Sequence, residues 1–197
     1  MGYAASEPGT ATVAPALAIK ILIAGGFGVG KTTMVGTISE IRPLHTEELL
    51  SDRGIGVDDT SGVESKVTTT VALDFGRITI RDGLWLYLFG TPGQDRFWFM
   101  WDELALGALG AVVLADTRRL QDSFPAVDYF EQRRIPFVVG VNCFDGARRY
   151  DPTKVRRALG LNENIPIVMC DVRDRGSVRD VLTTLVTYAV EGMSPRY

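Results

Sequence analysis

The feature that most constrains this chain is a glycine-rich segment between an apolar run and a helical pattern. Residues 17–24 are apolar except for Lys20, which is typical of a strand buried on both faces of a sheet. Next comes the sequence GGFGVGKT at residues 25–32, and residues 31–41 have the pattern of a helix. The segment matches G-x-x-x-x-G-K-[ST] in the strand, turn and helix context that this pattern requires. The sequence therefore predicts a phosphate-binding loop.

The residue types of this loop explain how it would bind phosphate. Glycines allow successive backbone N–H groups to point into one concavity, and the helix that begins there adds the positive end of its dipole. Lys31 would reach the β- and γ-phosphates of a nucleotide, and the hydroxyl of Thr32 would bind Mg²⁺. The alternative is a glycine turn with an exposed lysine. The predicted nucleotide-binding residues of the loop are Gly25, Gly26, Phe27, Gly28, Val29, Gly30, Lys31, Thr32 and Thr33.

The rest of the chain alternates strands and helices. Short apolar strands are predicted at residues 111–115, 135–141 and 165–169. Helical patterns follow at residues 121–133, 152–159 and 176–191. Residues 67–80 and 84–89 flank Asp82-Gly83, which is a strong hairpin signal. This order predicts an α/β fold of the P-loop NTPase type, with a mainly parallel six-stranded sheet, one antiparallel strand and helices on both faces.

A length of 197 residues predicts a single domain, since about 100–200 residues is the usual size of one core. We expect a mobile N-terminal tail at residues 1–15, a nucleotide-binding domain at residues 16–191 and a C-terminal tail at residues 192–197. Residues 42–64 are polar and glycine-containing, which predicts a long mobile loop. The stretch around it is long enough to hold a partner site or a register-shifting strand.

Composition argues against several functions. Lys and Arg number 21 and Asp and Glu 24, so the net charge of −3 argues against general nucleic-acid binding, which needs a basic face. The longest apolar run, residues 104–115, is shorter than the ~20 residues of a spanning helix, so we expect no transmembrane segment. Two cysteines and one histidine cannot form a disulfide framework or a four-ligand zinc site. No secretory signal pattern is visible at the N-terminus, which favours a cytoplasmic protein.

Three further motifs follow the phosphate loop along the chain. They are Thr68-Thr69-Thr70, Gly90-Thr91-Pro92-Gly93-Gln94 and Asn142-Cys143-Phe144-Asp145. Together with the phosphate loop, they resemble the ordered motifs of small Ras-like GTPases. The runs 68–76, 89–94 and 141–146 look most like the bacterial MglA-like branch, especially the GTPase component of the actinobacterial conservons. The resemblance covers about residues 17–190 and implies that residues 16–191 form a small GTPase domain.

The resemblance implies roles for the two switch motifs. Thr69 or Thr70 would contact Mg²⁺ and the γ-phosphate, which orders the first switch only in the triphosphate state. The backbone N–H of Gly93 would bind the γ-phosphate, and Gln94 would orient the attacking water. Gln94 and Lys31 are thus the predicted catalytic residues. The alternatives are ordinary strand threonines and a solvated turn glutamine.

The resemblance also implies a guanine-reading loop. The carboxylate of Asp145 would accept two hydrogen bonds from the Watson–Crick edge of guanine, whereas adenine lacks that pair of donors. Asn142 would brace the loop and contact the purine. Cys170 and Asp171 occupy the place where the family closes over the base with a backbone N–H. The alternatives are an Asx turn at a strand end and, for Cys170, a small buried residue.

Two positions depart from the family pattern. Gly90 stands where the family has an aspartate that holds a Mg²⁺-bound water, and Asp74 on the preceding strand is the candidate substitute. A regular hairpin predicts that Asp74 lies opposite Thr91, beside Gly90. Cys143 stands where the family has a lysine that packs over the base, which predicts weaker nucleotide affinity and leaves the preference for GTP over ATP open. The predicted metal ligands are Thr32, Thr69, Thr70 and Asp74.

Two groups of side chains have no assigned role. No arginine is identified as catalytic, and the pairs Arg118-Arg119, Arg133-Arg134 and Arg148-Arg149 are interpreted as solvated surface. The aromatic residues that follow Gln94 predict either a partner interface or a segment packed under the second switch. They are Phe97, Trp98, Phe99 and Trp101.

The leading hypothesis is a regulatory protein that cycles between GTP- and GDP-bound states by slow Mg²⁺-dependent hydrolysis and signals through its switch loops. The resemblance implies two partners, a roadblock-type regulatory protein and a sensor-kinase-like membrane protein, either of which could recruit it to the membrane face. The alternative is a GTP/GDP-sensing module with little or no hydrolysis, which Gly90 and the unassigned arginine favour. A P-loop kinase would need an arginine-rich lid and an acidic base, and the sequence offers no clear candidate for them.

Overall fold

One seven-stranded sheet forms the centre of the molecule. The computed structural model describes residues 17–50, 69–93 and 99–193. The strands are β1 (Leu17–Ala24), β2 (Leu44–Leu50), β3 (Thr69–Arg81), β4 (Leu84–Gly90), β5 (Ala108–Ala115), β6 (Phe137–Asn142) and β7 (Ile167–Cys170). Their order in the sheet is β2-β3-β4-β1-β5-β6-β7. Strands β4, β1, β5, β6 and β7 are parallel to one another, and β3 runs antiparallel to both strands beside it, β2 and β4.

Helices cover both faces of this sheet. They are α1 (Lys31–Ile38), α2 (Phe99–Ala105), α3 (Phe124–Arg133), α4 (Pro152–Leu159) and α5 (Arg175–Met193). Successive side chains of a strand point to opposite faces, and β1 shows this directly. Ile21 and Ile23 pack into one core with α1 and α5, while Leu22 and Ala24 pack into a second core with α3 and α4. Residues 21–24 of β1 are therefore buried on both faces, as the sequence predicts, whereas Leu17 and Ala18 at its start are exposed.

The predicted fold class is confirmed, with one addition at the edge of the sheet. Each of the six predicted strands is present, but residues 44–50 form β2, whereas the sequence predicted a loop there. Strand β2 pairs with the outer edge of β3 from Leu44↔Phe75 to Leu50↔Thr69. An edge strand needs no continuous apolar pattern, because its pairing comes from the unpaired backbone groups of its neighbour. The long loop prediction is therefore wrong for these residues.

The hairpin of β3 and β4 contains a bulge that shifts its register. Thr79 pairs with Trp85, whereas Arg81 pairs with Leu84, so one extra residue is accommodated between them. From this point to the end of β4 every pair is displaced by one residue. Asp74 consequently lies opposite Gly90 itself, and the predicted pairing of Asp74 with Thr91 is wrong by one position.

The loops that leave the carboxyl ends of the parallel strands meet at one edge of the sheet, which is where open α/β sheets bind their ligands. The phosphate loop follows β1 at this edge, and the predicted base loop follows β6. In the part of the chain described here, no helix combines the length and the apolarity that a membrane crossing requires. The predicted N-terminal tail, Thr68, residues 94–98 and residues 194–197 lie outside the described residues.

Candidate nucleotide-binding site

The phosphate loop, residues 25–30, depends on glycine at defined positions. Gly25 has a φ of +132° and Gly30 a φ of +109°, which L side chains rarely adopt. A Cβ atom at Gly25 would lie 2.4 Å from the carbonyl oxygen of Leu114. A Cβ atom at Gly30 would lie 2.9 Å from Cγ2 of Val172 and 3.0 Å from Nδ2 of Asn142. Glycine is therefore required at both positions, because the backbone has a positive φ and neighbouring segments pack directly against it.

Replacing Gly30 with alanine should destabilise the fold through both strain and overlap. We expect the free energy of unfolding in urea to fall by about 2–4 kcal/mol, from the unfavourable φ and the overpacking together. The matched control is Gly83→Ala in the β3–β4 turn, because Gly83 has a φ of +74° but no atom within 4 Å of the added Cβ. Equal losses in the two variants would show that the packing of Val172 and Asn142 against the loop is not tight.

Helix α1 begins at the phosphate loop without a capping side chain. Its N-cap residue is Gly30, which makes no side-chain capping hydrogen bond, and no acidic residue of the helix lies in its first turn. The first N–H groups of a helix have no intrahelical partners and carry the positive end of the dipole. The start of α1 is thus suited to an anion rather than to a cap from the protein.

Lys31 turns back onto the loop that precedes it. Its Nζ donates hydrogen bonds to the carbonyl oxygens of Gly25 and Gly26, both at 2.8 Å. Burial lowers the pKa of Lys31 to about 8, and the negative charge of Asp74 partly opposes this shift. A phosphate would supply charged acceptors to the same ammonium group, and charge-assisted hydrogen bonds are stronger than those to carbonyls.

The segment after β4 lies against the phosphate loop. A Cβ atom at Gly93 would be 2.6 Å from Nζ of Lys31 and 3.2 Å from Cα of Phe27. The structure therefore brings Gly93 to the lysine, next to the phosphate loop. Gln94 lies outside the described residues, so its catalytic role stays a prediction.

Thr32 and Asp74 form the oxygen pair of the candidate metal site. The hydroxyl of Thr32 donates to Oδ2 of Asp74 at 2.6 Å, and Asp74 is buried. A Cβ atom at Gly90 would lie 3.0 Å from Oδ2 of Asp74, so the Asp74 carboxylate fills the space that a side chain at position 90 would take. This geometry is what the hypothesis requires that Asp74 replaces the aspartate found in the family at the position of Gly90.

These residues fit Mg²⁺ in kind and number. Mg²⁺ prefers hard oxygen ligands and is commonly held by one or two protein oxygens together with substrate phosphates and waters. Among the described residues, no group of three or more His, Cys, Asp or Glu residues could hold a metal by itself.

Thr91 is 2% exposed, and within the described ranges its hydroxyl has no hydrogen-bond partner. A buried hydroxyl of this kind normally has a partner, such as water or a ligand.

Thr69 and Thr70, the other predicted metal ligands, begin strand β3. They pair with Leu50 and Leu49 of β2 in the sheet. The structure describes their backbone positions but not their side chains. Their role at a metal therefore stays a prediction.

Asn142 joins three segments at the end of β6. Its Nδ2 donates to the carbonyl oxygen of Val29 at 3.0 Å, and its Oδ1 accepts from the N–H of Val172 at 3.3 Å. The first contact reaches the phosphate loop and the second reaches the loop after β7. Asn142 is 4% exposed, so it fixes the relative position of these loops from the inside. Its contact with a purine stays a prediction.

Cys143, Cys170 and Asp171 are held by protein contacts. The N–H of Cys143 donates to the carbonyl oxygen of Cys170 at 2.7 Å. Cys170 is buried, and burial raises the pKa of its thiol to about 12. The N–H of Asp171 donates to Oγ of Ser177 at 2.9 Å. The N–H of Asp171, one of the two residues predicted to close over the base, thus has a protein partner in this structure.

Asp145 is paired with Arg173 from the loop after β7. Nη1 of Arg173 lies 2.6 Å from Oδ2 of Asp145, and Nη2 lies 3.0 Å from Oδ1. The same guanidinium binds both oxygens of Asp171, at 2.9 and 2.7 Å. The hydrogen bonds from Arg173 lower the pKa of both carboxyl groups, that of Asp171 to about 2. The side chain of Asp145 is 83% exposed. An ionised carboxylate therefore faces solvent three residues after Asn142, which binds the phosphate loop.

Arg118 and Arg119 are exposed, as the interpretation of solvated surface predicts, but both also contact groups near the site. Arg118 pairs with buried Asp116 at 2.7 Å, and its guanidinium lies 4.0 Å from the ring centroid of Phe144. Nη2 of Arg119 donates to the carbonyl oxygen of Phe27 at 3.0 Å. Both arginines follow the carboxyl end of β5, and this position is the signal that could have placed them at the site.

The aromatic segment is packed inward at the one position whose side chain is described. Trp101 is 2% exposed, and its ring lies 5.0 Å from Tyr129 and 5.8 Å from Phe130 between centroids. This supports the interpretation of a packed segment for Trp101. Phe97 and Trp98 lie outside the described residues.

Together, the strand, glycine loop and helix with the loops around them define a nucleotide-binding protein of the P-loop class. The chain belongs to the family described as conserved hypothetical ATP binding protein, which matches residues 23–192. It is 32% identical to the uncharacterized protein MJ1339 of Methanocaldococcus jannaschii over 130 residues, which is 64% of this chain and 71% of that protein.

Solved structures similar to this chain include G domains and cytosolic domains of FeoB iron transporters. The G domain of the T. maritima FeoB iron transporter has a TM-score of 0.60 at 19% identity and covers 88% of this chain and 99% of its own. The FeoB G-domain of Methanococcus jannaschii has a TM-score of 0.57 at 14% identity, with 88% and 98% coverage. The cytosolic domain of T. maritima FeoB in its GMPPNP form has a TM-score of 0.61 at 18% identity, and the match covers 87% of this chain and 64% of that one. These likenesses establish the fold.

Proposed function

We propose that this chain is a guanine-nucleotide-dependent switch that binds GTP and GDP with Mg²⁺ and hydrolyses GTP slowly. The observation that carries the proposal is the carboxylate of Asp145, exposed at the end of β6, where Asn142 ties that strand to the phosphate loop. The resemblance to Ras-like GTPases supports the same assignment. The GDP and GMPPNP forms of FeoB show that a related fold is used with guanine nucleotides.

The charge state of Asp145 favours guanine over adenine. Its pKa is lowered by Arg173, so the side chain is an ionised carboxylate that only accepts hydrogen bonds at neutral pH. Guanine presents two adjacent donors, N1–H and the 2-amino group, to such an acceptor. Adenine presents the lone pair of N1 at the corresponding edge, which a carboxylate repels. A preference for guanine would differ from the ATP named in the family's description, so the identity of the bound base is the first property to test.

Each part of the site has a task in the proposed reaction. The amides of the phosphate loop and the start of α1 bind the β- and γ-phosphates, while Lys31 exchanges the carbonyls of Gly25 and Gly26 for phosphate oxygens. Thr32 and Asp74 would hold Mg²⁺, which when bound neutralises charge on the phosphate oxygens. Gly93 donates its N–H near the γ-phosphate, and Gln94 orients the water.

Within this class, we place the chain in the MglA-like branch, closest to the GTPase component of the actinobacterial conservons. The runs 68–76, 89–94 and 141–146 support this placement. The expected partners are a roadblock-type regulatory protein and a sensor-kinase-like membrane protein, which would recruit a cytoplasmic chain to the membrane face. Binding of a purified roadblock-type protein should then differ between the GTP- and GDP-loaded chain.

Phosphate release separates a slow GTPase from a module that only senses GTP and GDP. We expect purified protein with GTP and Mg²⁺ to release phosphate slowly, and Gln94→Leu to lower the rate at least ~10-fold because the water loses its orienting group. Nucleotide affinity should be unchanged in this variant. Gln121→Leu, in an exposed turn before α3, is the matched control.

The alternative of a sensing module has one structural observation in its favour. Position 90 is a glycine, so the metal site depends on Asp74 reaching across from β3. Tight GTP binding with no phosphate release from the wild-type protein would establish the sensing module and exclude the GTPase.

A further inference from the structure

The tip of the phosphate loop is held from outside by an arginine of another loop. Nη2 of Arg119 donates a hydrogen bond to the carbonyl oxygen of Phe27 at 3.0 Å, across 92 residues of sequence. A Cβ atom at Gly28 would lie 3.6 Å from the same nitrogen. The guanidinium therefore lies directly against the peptide group that joins Phe27 to Gly28.

The planarity of the peptide group makes this carbonyl contact a constraint on an amide. The described peptide bonds are trans, and the C=O and N–H of one trans peptide point in opposite directions. Because Arg119 binds the carbonyl of Phe27, the N–H of Gly28 points away from Arg119. Asn142 constrains another peptide of the loop in the same way, since it binds the carbonyl of Val29 and the N–H of Gly30 belongs to that peptide.

Both of these peptides are followed by a glycine with a positive φ. The values are +72° at Gly28 and +109° at Gly30. Left-handed residues within such a loop turn successive N–H groups into one anion-binding concavity. Glycine tolerates either sign of φ, so the peptide before Gly28 can rotate at little cost and would then present its carbonyl to the phosphates. A partner outside the loop is needed to keep this peptide in one orientation.

We propose that Arg119 is a positioning residue of the phosphate loop, which holds the N–H of Gly28 towards the phosphates of the bound nucleotide. This inference rests on the proposed function only because it needs a nucleotide at the loop, and it does not depend on which base is bound. Arg119 acts through the backbone of the loop. Its positive charge also polarises the peptide, which strengthens the N–H as a donor.

The backbone from which Arg119 extends is itself fixed. The N–H of Arg119 donates to the carbonyl oxygen of Asp116 at 2.9 Å, and its carbonyl oxygen accepts from the N–H of Asp122 at 3.1 Å. Asp122 lies against the phosphate loop, because a Cβ atom at Gly26 would be 2.6 Å from the Cβ of Asp122. Oδ2 of Asp122 also lies 3.8 Å from Nε of Arg119. The turn after β5 is thus packed on the loop that its arginine holds.

Calorimetric titration of the full chain with GDP, GTP and ATP tests this inference. Arg119→Met keeps the apolar stem of the side chain and removes its donors. We expect the affinity for each nucleotide that the wild type binds to fall about tenfold, which is the range of one hydrogen bond to a charged group. The ratio of GTP to ATP affinity should not change, because no contact with the base is altered. Arg119→Lys keeps a cationic donor and should recover part of the loss.

The amide resonance of Gly28 gives a direct measurement of the positioning. In wild-type protein labelled with ¹⁵N-glycine, GDP binding should move this resonance downfield, because a hydrogen bond to a charged phosphate deshields the amide proton. In Arg119→Met the shift should be clearly smaller. The resonance of Gly30 is the internal control, since Asn142 still holds its peptide in the variant.

Two controls separate positioning from charge and from folding. Arg179→Ala removes an exposed arginine of α5 and should leave the nucleotide affinities unchanged. Titrations repeated at about 1 M salt, where the Debye length is about 3 Å, suppress any effect of the charge of Arg119 at a distance. The difference between wild type and Arg119→Met should persist there. The urea midpoint should be nearly the same in both proteins, because the contact with Phe27 is exposed.

The outcomes distinguish this inference from the proposed function. A wild-type protein that binds no nucleotide overturns the proposed function and the inference with it. A wild type that prefers ATP overturns the guanine assignment alone, and the test of Arg119 then proceeds with ATP. Where the wild type binds, any of three results overturns the positioning role alone: unchanged affinity in Arg119→Met, an unchanged shift of the Gly28 resonance, or a difference that disappears at high salt. Slower hydrolysis with unchanged affinity also overturns it, because that result assigns Arg119 to the transition state.

Discussion

Replacing Asp145 with asparagine is expected to transfer the preference of the site from GTP to XTP. Asparagine offers one acceptor and one donor, whereas the carboxylate offers two acceptors. Xanthine has N1–H as a donor and a carbonyl at position 2 as an acceptor, so it can pair with both groups of the asparagine amide. Guanine has a second donor at position 2, which faces the amide NH₂. Loss of a hydrogen bond to a charged group costs about 1.5–3 kcal/mol, and two donors are then brought face to face. We therefore expect GTP affinity to fall about 100-fold or more, and XTP to become the tighter ligand.

Competition of GTP, XTP and ATP against one fluorescent nucleotide measures this change directly. Asp128→Asn, an exposed carboxylate on α3, is the matched control and should leave the ratio of GTP to XTP affinity unchanged. If Asp145→Asn binds GTP as the wild type does, Asp145 does not read the base. Tight competition by ATP in the wild type would then agree with the family's description.

The local parts of the site could be predicted from sequence because they depend on neighbours along the chain. The phosphate loop needs glycine at Gly25 and Gly30 for backbone reasons, and its lysine follows at a fixed spacing. The strand before it and the helix after it have their own apolar patterns. The order of strands and helices then determines which loops meet at the carboxyl edge of the sheet.

Features that depend on long-range pairing were missed or displaced. A single bulge near Thr79 moved Asp74 from Thr91 to Gly90, and bulges leave no reliable signal in one sequence. Strand β2 exists through its pairing with β3 rather than through its own composition. Arg119 and Arg173 lie on loops whose arginines have no periodicity, so their contacts with Phe27 and Asp145 emerge only when the strand ends are brought together.

Exchanging the residues at positions 74 and 90 should move the metal-binding carboxylate from one strand to its neighbour without loss of function. Asp74 and Gly90 lie directly opposite each other, and a Cβ atom at position 90 would be 3.0 Å from both Cβ and Oδ2 of Asp74. A side chain at position 90 would therefore crowd the side chain of Asp74. We expect Asp74→Gly to lower the gain in GDP and GTP affinity that Mg²⁺ produces by about 10- to 100-fold. Loss of a metal-supporting group lowers metal affinity by this factor at other sites.

The double variant Asp74→Gly with Gly90→Asp restores a carboxylate next to Thr32 from the opposite strand, so Mg²⁺-dependent binding should recover to within about tenfold of the wild type. Gly90→Asp alone should lower the urea midpoint, because its Cβ would lie 3.0 Å from Oδ2 of Asp74 and it adds a second carboxylate to a buried space. Nucleotide titrations at several Mg²⁺ concentrations measure the recovery. A double variant that refolds fully yet remains as insensitive to Mg²⁺ as Asp74→Gly would assign Asp74 a structural bond to Thr32 instead of a role at the metal.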